Sequence, residues 1–236
     1  MSLSFRSKRA YSGSCKRRTY RLTEPQLKVV ALLKIIRPAS EPEVVQYWLQ
    51  GEYEHRGPVR DHLDALYGDE TRLIHLKNFE DQASNAMRLE MLESIRWFFT
   101  HFRDTEKYKV NAWNLEQLNE NDLGQLALIN EGDRREMSGG TLSPLDAARQ
   151  IEKNIGTLGG FARQDAEFIR EHAETLALDE SRIIVVGPET GPLTVVDGVH
   201  RLTAVFLYYF VRKQGTFNAR EAYHGVSQRP YDYQFG

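Results

Sequence analysis

The chain has 236 residues, 41% apolar and 27% charged, with a formal net charge of −2 and one cysteine. That length suits one large domain, or a smaller one with a helical extension, of ordinary globular composition. The near-neutral balance excludes wholesale electrostatic attraction to nucleic acid or anionic membrane, and the lone Cys15 excludes an internal disulfide or a cysteine metal cluster.

Residues 1–22 form a basic arm, with Arg6, Lys8, Arg9, Lys16, Arg17, Arg18 and Arg21 and no acid. The stretch 6–21 suits contact with nucleic-acid phosphates and equally suits a solvated terminus. It lacks the apolar segment of a signal peptide, which together with the cysteine usage predicts a cytoplasmic protein.

Residues 23–107 read as mainly helical. Thr23-Glu24-Pro25 is a helix start, and "LKVVALLKII" predicts that this helix runs to Arg37. Ser40 with Glu43 three residues on is a capping box, opening a second helix that should stop at Gly51. "GPVRDHLDALYG" predicts a third helix and "TRLIHLK" a strand, the outline of a winged helix-turn-helix, so residues 40–77 are a second candidate for nucleic-acid contact. The charge there is a poor match to phosphate, with Asp61 and Asp64 beside Arg60 on the candidate reading helix. "FEDQASNAMRLEMLESIRWFFTHF" predicts one long helix with Met87, Met91, Ile95, Phe98 and Phe102 on one side.

From Tyr108 the patterns alternate. "YKVNAWNL" predicts a strand, and the polar "NEGDRREMSGGTLSP" predicts a loop. That loop ends in a helix start, with Ser143 as cap, Pro144 in the first turn and Asp146 at the third position. A further helix, "RQDAEFIREHAETLAL", precedes a hairpin of "RIIVVG" and "PLTVV" joined by "PETG". Asp197-Gly198 then bends the chain into an apolar helix, Leu202 to Val211, about half the length needed to span a bilayer. "EAYHGVS" predicts a last strand, before the aromatic tail "YDYQF", which with the helical arm suits contacts of a homo-oligomer.

The junction "VVDGVHRL" concentrates the chemistry. A strand that turns through glycine into a helix offers unpaired amides to an anion. Gly198 allows close approach, Arg201 can grip a phosphate with two donors, and His200 can move a proton. Asp197 can orient His200, accept a hydroxyl proton or hold hydrated Mg²⁺ beside phosphates. A plain turn, with Asp197 as cap and His200-Arg201 as a wet first turn, uses the same residues. The helix beyond is apolar on every side, which sets the charged turn at the meeting of two buried elements.

Residues 182–212, "IIVVGPETGPLTVVDGVHRLTAV" in particular, resemble the core of the ParB/sulfiredoxin-like superfamily, in which a hairpin strand ends in D-G-x-H-R before a helix. The resemblance implies an α+β fold, a small mixed sheet packed with helices over residues 108–236, preceded by the helical region. It implies nucleotide phosphate binding at the turn, through Gly198, Val199 and Arg201. Members include CTP-binding partition proteins, ATP-using sulfiredoxins and kinases of free serine. Val199 stands where sulfiredoxins carry cysteine, which excludes cysteine-based repair chemistry, and only 24 residues follow Arg212, too few for a partition protein's DNA-binding domain. The serine-kinase type, with D-G-H-H-R, is nearest, and Val199 departs from it. That type implies ATP or another nucleotide with Mg²⁺ on Asp197. It also implies catalytic roles for Asp197, His200 and Arg201, and a glutamate base, for which Glu116, Glu131 and Glu136 are candidates. Arg134, Arg135 and the backbone at Ser143 would close over phosphates. The expected function is a phosphotransferase acting on a small-molecule hydroxyl, or a nucleotide hydrolase. The alternative is a DNA-associated protein using the turn as a nucleotide switch.

Overall fold

The computed structural model describes residues 33–234. Its first half runs β1 (Lys34–Ala39), α1 (Glu41–His55), α2 (Gly57–Tyr67), a 3-10 segment (Gly68–His75), α3 (Gln82–Ile95), a 3-10 turn (Trp97–Thr100) and α4 (His101–Asp104). Then come β2 (Val110–Leu118), α5 (Glu120–Leu123), β3 (Leu126–Leu128), α6 (Gly132–Met137), α7 (Pro144–Asn154), α8 (Gly160–Glu171) and α9 (Ala173–Leu178). The chain closes with β4 (Ile183–Gly187), β5 (Leu193–Asp197), α10 (Val199–Val205), its π-helical continuation (Phe206–Val211) and β6 (Arg220–Ser227).

The six strands make one mixed sheet in the order β1-β2-β6-β4-β5-β3. β4 is parallel to β6 and β3 to β5, and the other neighbours are antiparallel. The fold is therefore α+β, a mixed sheet packed with helices. Helices cover both faces, which is why every residue of β4 is buried and its sequence is a continuous apolar run. On one face Tyr223 of β6 meets Tyr47 of α1, ring centroids 5.1 Å apart, and donates a hydrogen bond to Glu43 at 2.8 Å. On the other, Ile183 and Leu118 share a crevice with Leu202 and Val205 of α10. One hydrophobic cluster joins Trp48, Met91 and Phe99 of the N-terminal helices to Val186 and Tyr231, across the division expected at residue 107.

Several expectations hold: the strand β2, the capped start of α7, the β4–β5 hairpin and the strand β6. Others need correction. The helix expected to run to Arg37 gives way to β1, which pairs with β2 from Lys34↔Gln117 to Ala39↔Trp113. Ile35 and Ile36 favour a strand, and Pro38 is tolerated because β1 is the sheet's edge. The basic arm 1–22, the helix start at Thr23-Glu24-Pro25 and the rest of that run up to residue 32 lie outside the described residues. α1 passes through Gly51 to His55, and its capping box is half formed. Ser40 accepts from the Glu43 amide at 3.3 Å, while the Glu43 carboxylate is held by Arg37 and Tyr223.

"TRLIHLK" forms no strand. Its carbonyls are taken by side chains: Gln46 donates to Ile74 O at 2.7 Å, and the buried Arg88 donates to Leu73 O at 2.8 Å and Leu76 O at 2.6 Å. Those side chains hold the backbone in the 3-10 conformation of Gly68–His75, and without that strand the winged-helix outline fails. The expected long helix breaks at Arg96 (φ −132°, ψ 60°), whose guanidinium grips the buried Glu52 carboxylate at 2.5 and 3.0 Å. The long polar loop holds the short helix α6, and the next predicted helix is two, α8 and α9, separated at His172. Among the described residues no helix is long and apolar enough to cross a membrane.

Arg88 also donates to Asn85 Oδ1 at 2.6 Å. Arg88→Met is expected to leave these buried oxygens without donors and to lower stability by about 3 kcal/mol in urea unfolding. A loss under about 1 kcal/mol would mean that other contacts hold the 3-10 segment.

Candidate functional site at the Asp197–Arg201 turn

Because β3 and β5 are parallel, with Leu128 beside Val195, the chain leaves both at the same edge of the sheet. Ligands of open α/β sheets sit outside such carboxyl ends. From β3 the chain enters α6, which carries Arg134; from β5 it passes through Asp197-Gly198 into α10, which carries His200 and Arg201. α8 brings Asp165 to the same place. Arg134 Nη1 donates to Asp165 Oδ2 at 2.5 Å, and His200 Nε2 lies 3.2 Å from that oxygen. Arg134 Nη1 and His200 Nε2 are 3.4 Å apart. Burial opposes ionisation of Asp165, but the hydrogen bonds and charges of His200 and Arg134 outweigh it and hold its carboxyl down at about 2.

The turn itself is tightly built. Gly198 has φ +81°, and a Cβ there would lie 2.6 Å from Ile183 Cγ2 and 3.1 Å from Arg201 Nη2. Glycine is thus required twice, by conformation and by space. Arg201 folds back on the turn, with Nη2 donating to Asp197 Oδ2 at 3.3 Å and Nη1 3.7 Å from Asp179 Oδ2. Burial pushes the Asp197 carboxyl up, and the charge of Arg201 opposes that rise. Val199 turns its side chain into the core, so it offers only backbone to a ligand. Tyr47 of α1 stands close enough for the charges of Arg201 and Asp197 to act on its hydroxyl.

The structure does not bring every expected residue here. Glu116 does not reach the turn, since β6 and β4 stand between β2 and β5, three strand spacings or about 14 Å. It is 3% exposed and holds His224 Nδ1 at 3.0 Å, while His224 Nε2 meets Gly187 O at 3.0 Å. Ser143 lies at the right edge, since the neighbouring Leu142 O accepts from Leu128 N, but its hydroxyl caps α7. Arg135 is on α6 beside Arg134. Glu136 accepts from the Gly159 amide at 2.7 Å. Glu131 is 3.7 Å from Arg134 Nε, and burial pushes its carboxyl up. Among the described residues no group of three or more His, Cys, Asp and Glu side chains is placed to hold a metal ion.

The residues missed from the sequence are Asp165 and Asp179. Neither lies in a motif, and each meets its partner across more than twenty residues of chain.

Folding lowers the Asp165 pKa from 3.8 to about 2, so the stability it confers is complete above the unfolded value and lost as pH falls through the folded one. Asp165→Asn is expected to cost about 1–2 kcal/mol at pH 7, allowing for its partial exposure to solvent. In urea unfolding the gap from wild type should narrow at pH 3, and an unchanged gap would show that charge is not its source. Gly198→Ala should cost about 2 kcal/mol or more, measured the same way.

No protein-family model, no curated protein and no solved structure matches this chain.

Proposed function

We propose that the chain is a nucleotide-dependent phosphotransferase of the ParB/sulfiredoxin-like type, moving a phosphoryl group from a nucleoside triphosphate to a small-molecule hydroxyl. The observation that carries this reading is the Asp165–His200 pair beside the Arg134 guanidinium, with Arg201, the next residue after His200, paired with Asp197 at the turn. Asp165 Oδ2 lies 3.2 Å from His200 Nε2 and would hold that nitrogen in its N–H form, which leaves Nδ1 to accept a proton. His200 would take the acceptor's hydroxyl proton on Nδ1 as the new O–P bond forms. The bond from the γ-phosphorus to its bridging oxygen breaks, and the nucleoside diphosphate leaves with that electron pair. Water in place of the acceptor would give hydrolysis.

Arg201 and Arg134 would meet the phosphate oxygens. Each now pairs with a carboxylate, so an incoming phosphate exchanges one anionic partner for another and meets donors already in position. Mg²⁺ is commonly held by one or two carboxylates plus the substrate's phosphates, and Asp197, at the turn, would be the carboxylate to contribute. When bound with the nucleotide, the ion would neutralise phosphate charge. Asp165 positions His200, and Asp197 positions Arg201.

Isothermal titration with ATP, GTP and CTP in the presence of Mg²⁺ tests the binding half of the proposal. Wild type is expected to bind at least one, and Arg201→Ala to bind it more than tenfold more weakly. Absence of binding to wild type, or equal binding by both proteins, overturns it. For the chemistry, His200→Gln should retain binding while turnover falls about 10²- to 10⁴-fold. Full turnover by that variant would remove His200 from its role.

A further inference from the structure

Phe168 of α8 lies beside the candidate base. Its ring centroid is 5.8 Å from that of His200 and 4.7 Å from that of His172, at interplanar angles of 56° and 58°. Neither imidazole stacks flat upon it, and the residue remains 45% exposed. An apolar ring so exposed beside a charged cluster contributes little to the core. Phe161, two turns earlier on the same side of α8, is 77% exposed, and Asp165 lies between them. α8 thus presents Phe161, Asp165 and Phe168 along one side, with His172 just past its end and the central acid bonded to the site.

We infer that Phe168 is the platform on which the nucleobase of the bound nucleotide stacks, with His172 at its rim; this rests on the nucleotide-binding reading of the Asp197–Arg201 turn. Three observations favour a base over another occupant. The first is distance: a ring on Phe168 would lie one side chain from His200, whose neighbour in the chain is Arg201, so base and phosphates of one small molecule span the two. The second is charge: Arg134 and Arg201 are both already paired with carboxylates, so phosphate must displace a bound anion, and an uncharged contact beside them adds affinity without that competition. The third is shape: an exposed phenyl face beside an imidazole edge suits a flat aromatic ring carrying polar edge atoms. His172 is exposed and can donate to or accept from such an edge.

The test is titration of the full chain, with Mg²⁺, against ATP, GTP, CTP and inorganic tripolyphosphate. It uses wild type, Phe168→Ala and Phe168→Tyr, with far-UV circular dichroism and urea unfolding to confirm that each protein is folded. Wild type is expected to bind its preferred nucleotide at least tenfold more tightly than tripolyphosphate. Phe168→Ala should weaken the nucleotide about tenfold and leave tripolyphosphate unchanged, while Phe168→Tyr keeps the wild-type affinity. If wild type prefers no nucleotide to tripolyphosphate, or Phe168→Ala binds nucleotide as wild type does, the stacking proposal is overturned while phosphate binding at the turn stands. If neither nucleotide nor tripolyphosphate binds wild type, both fall.

Discussion

Gly198 sits over Ile183 of β4 so closely that its α-carbon has no room for a substituent. That contact fixes where α10 begins and in which direction it points. Because α10 starts there, Val199 and Leu202 enter the core, and His200 and Arg201 are left on the side facing α6, α8 and α9. The guanidinium of Arg201 then falls between Asp197 and Asp179, and the imidazole of His200 reaches Asp165. Without the close approach the helix would ride higher on the sheet, and none of these distances would survive. A single packing constraint within the core thus sets the arrangement of five ionisable side chains at its border.

Those charges are balanced by their neighbours. Arg134 and His200 share Asp165, Arg201 lies between two aspartates, and Glu52 holds Arg96 behind them. Partly buried ions need such partners, because desolvation would otherwise exceed the attraction. The consequence is that each guanidinium already has an anionic partner, so on the proposed reading a phosphate would bind by exchange of partners. Burial pushes both carboxyls up, but the outcomes differ: Asp165, with two cationic partners, is held down and stays ionised far into acid, while Asp197, with Arg201 at 3.3 Å, is pushed up.

The turn was legible in the sequence because its causes are local. A glycine after an acid, between a β-branched run and an apolar helix, states both the bend and the burial on either side. The cap at Ser143 was legible for the same reason. What escaped depends on distant partners. Asp165 meets His200 across thirty-five residues, and nothing in "RQDAEF" marks it out. "TRLIHLK" has a strand's composition, but Arg88 and Gln46 bind its carbonyls and hold the backbone in a 3-10 conformation. Likewise Lys34–Ala39 looks helical until β2 is present to pair with it. Glu116 was singled out for its closeness in sequence to a strand, and the order of the sheet places it elsewhere.

The sheet order also bears on how the chain reaches its native state. β6 is the last strand in the chain, yet it lies between β2 and β4. Until residues 220–227 arrive, those two strands have no common neighbour, and each presents an open edge. The pairing of β2 with β6 closes a loop of about a hundred residues, a separation that slows folding. Completion of the sheet is therefore a late event. When β6 inserts, it brings His224 to Glu116 and joins the β1–β2 pair to the strands that carry the site. In a growing chain, the turn at Gly198 would be made before the sheet that supports it is whole.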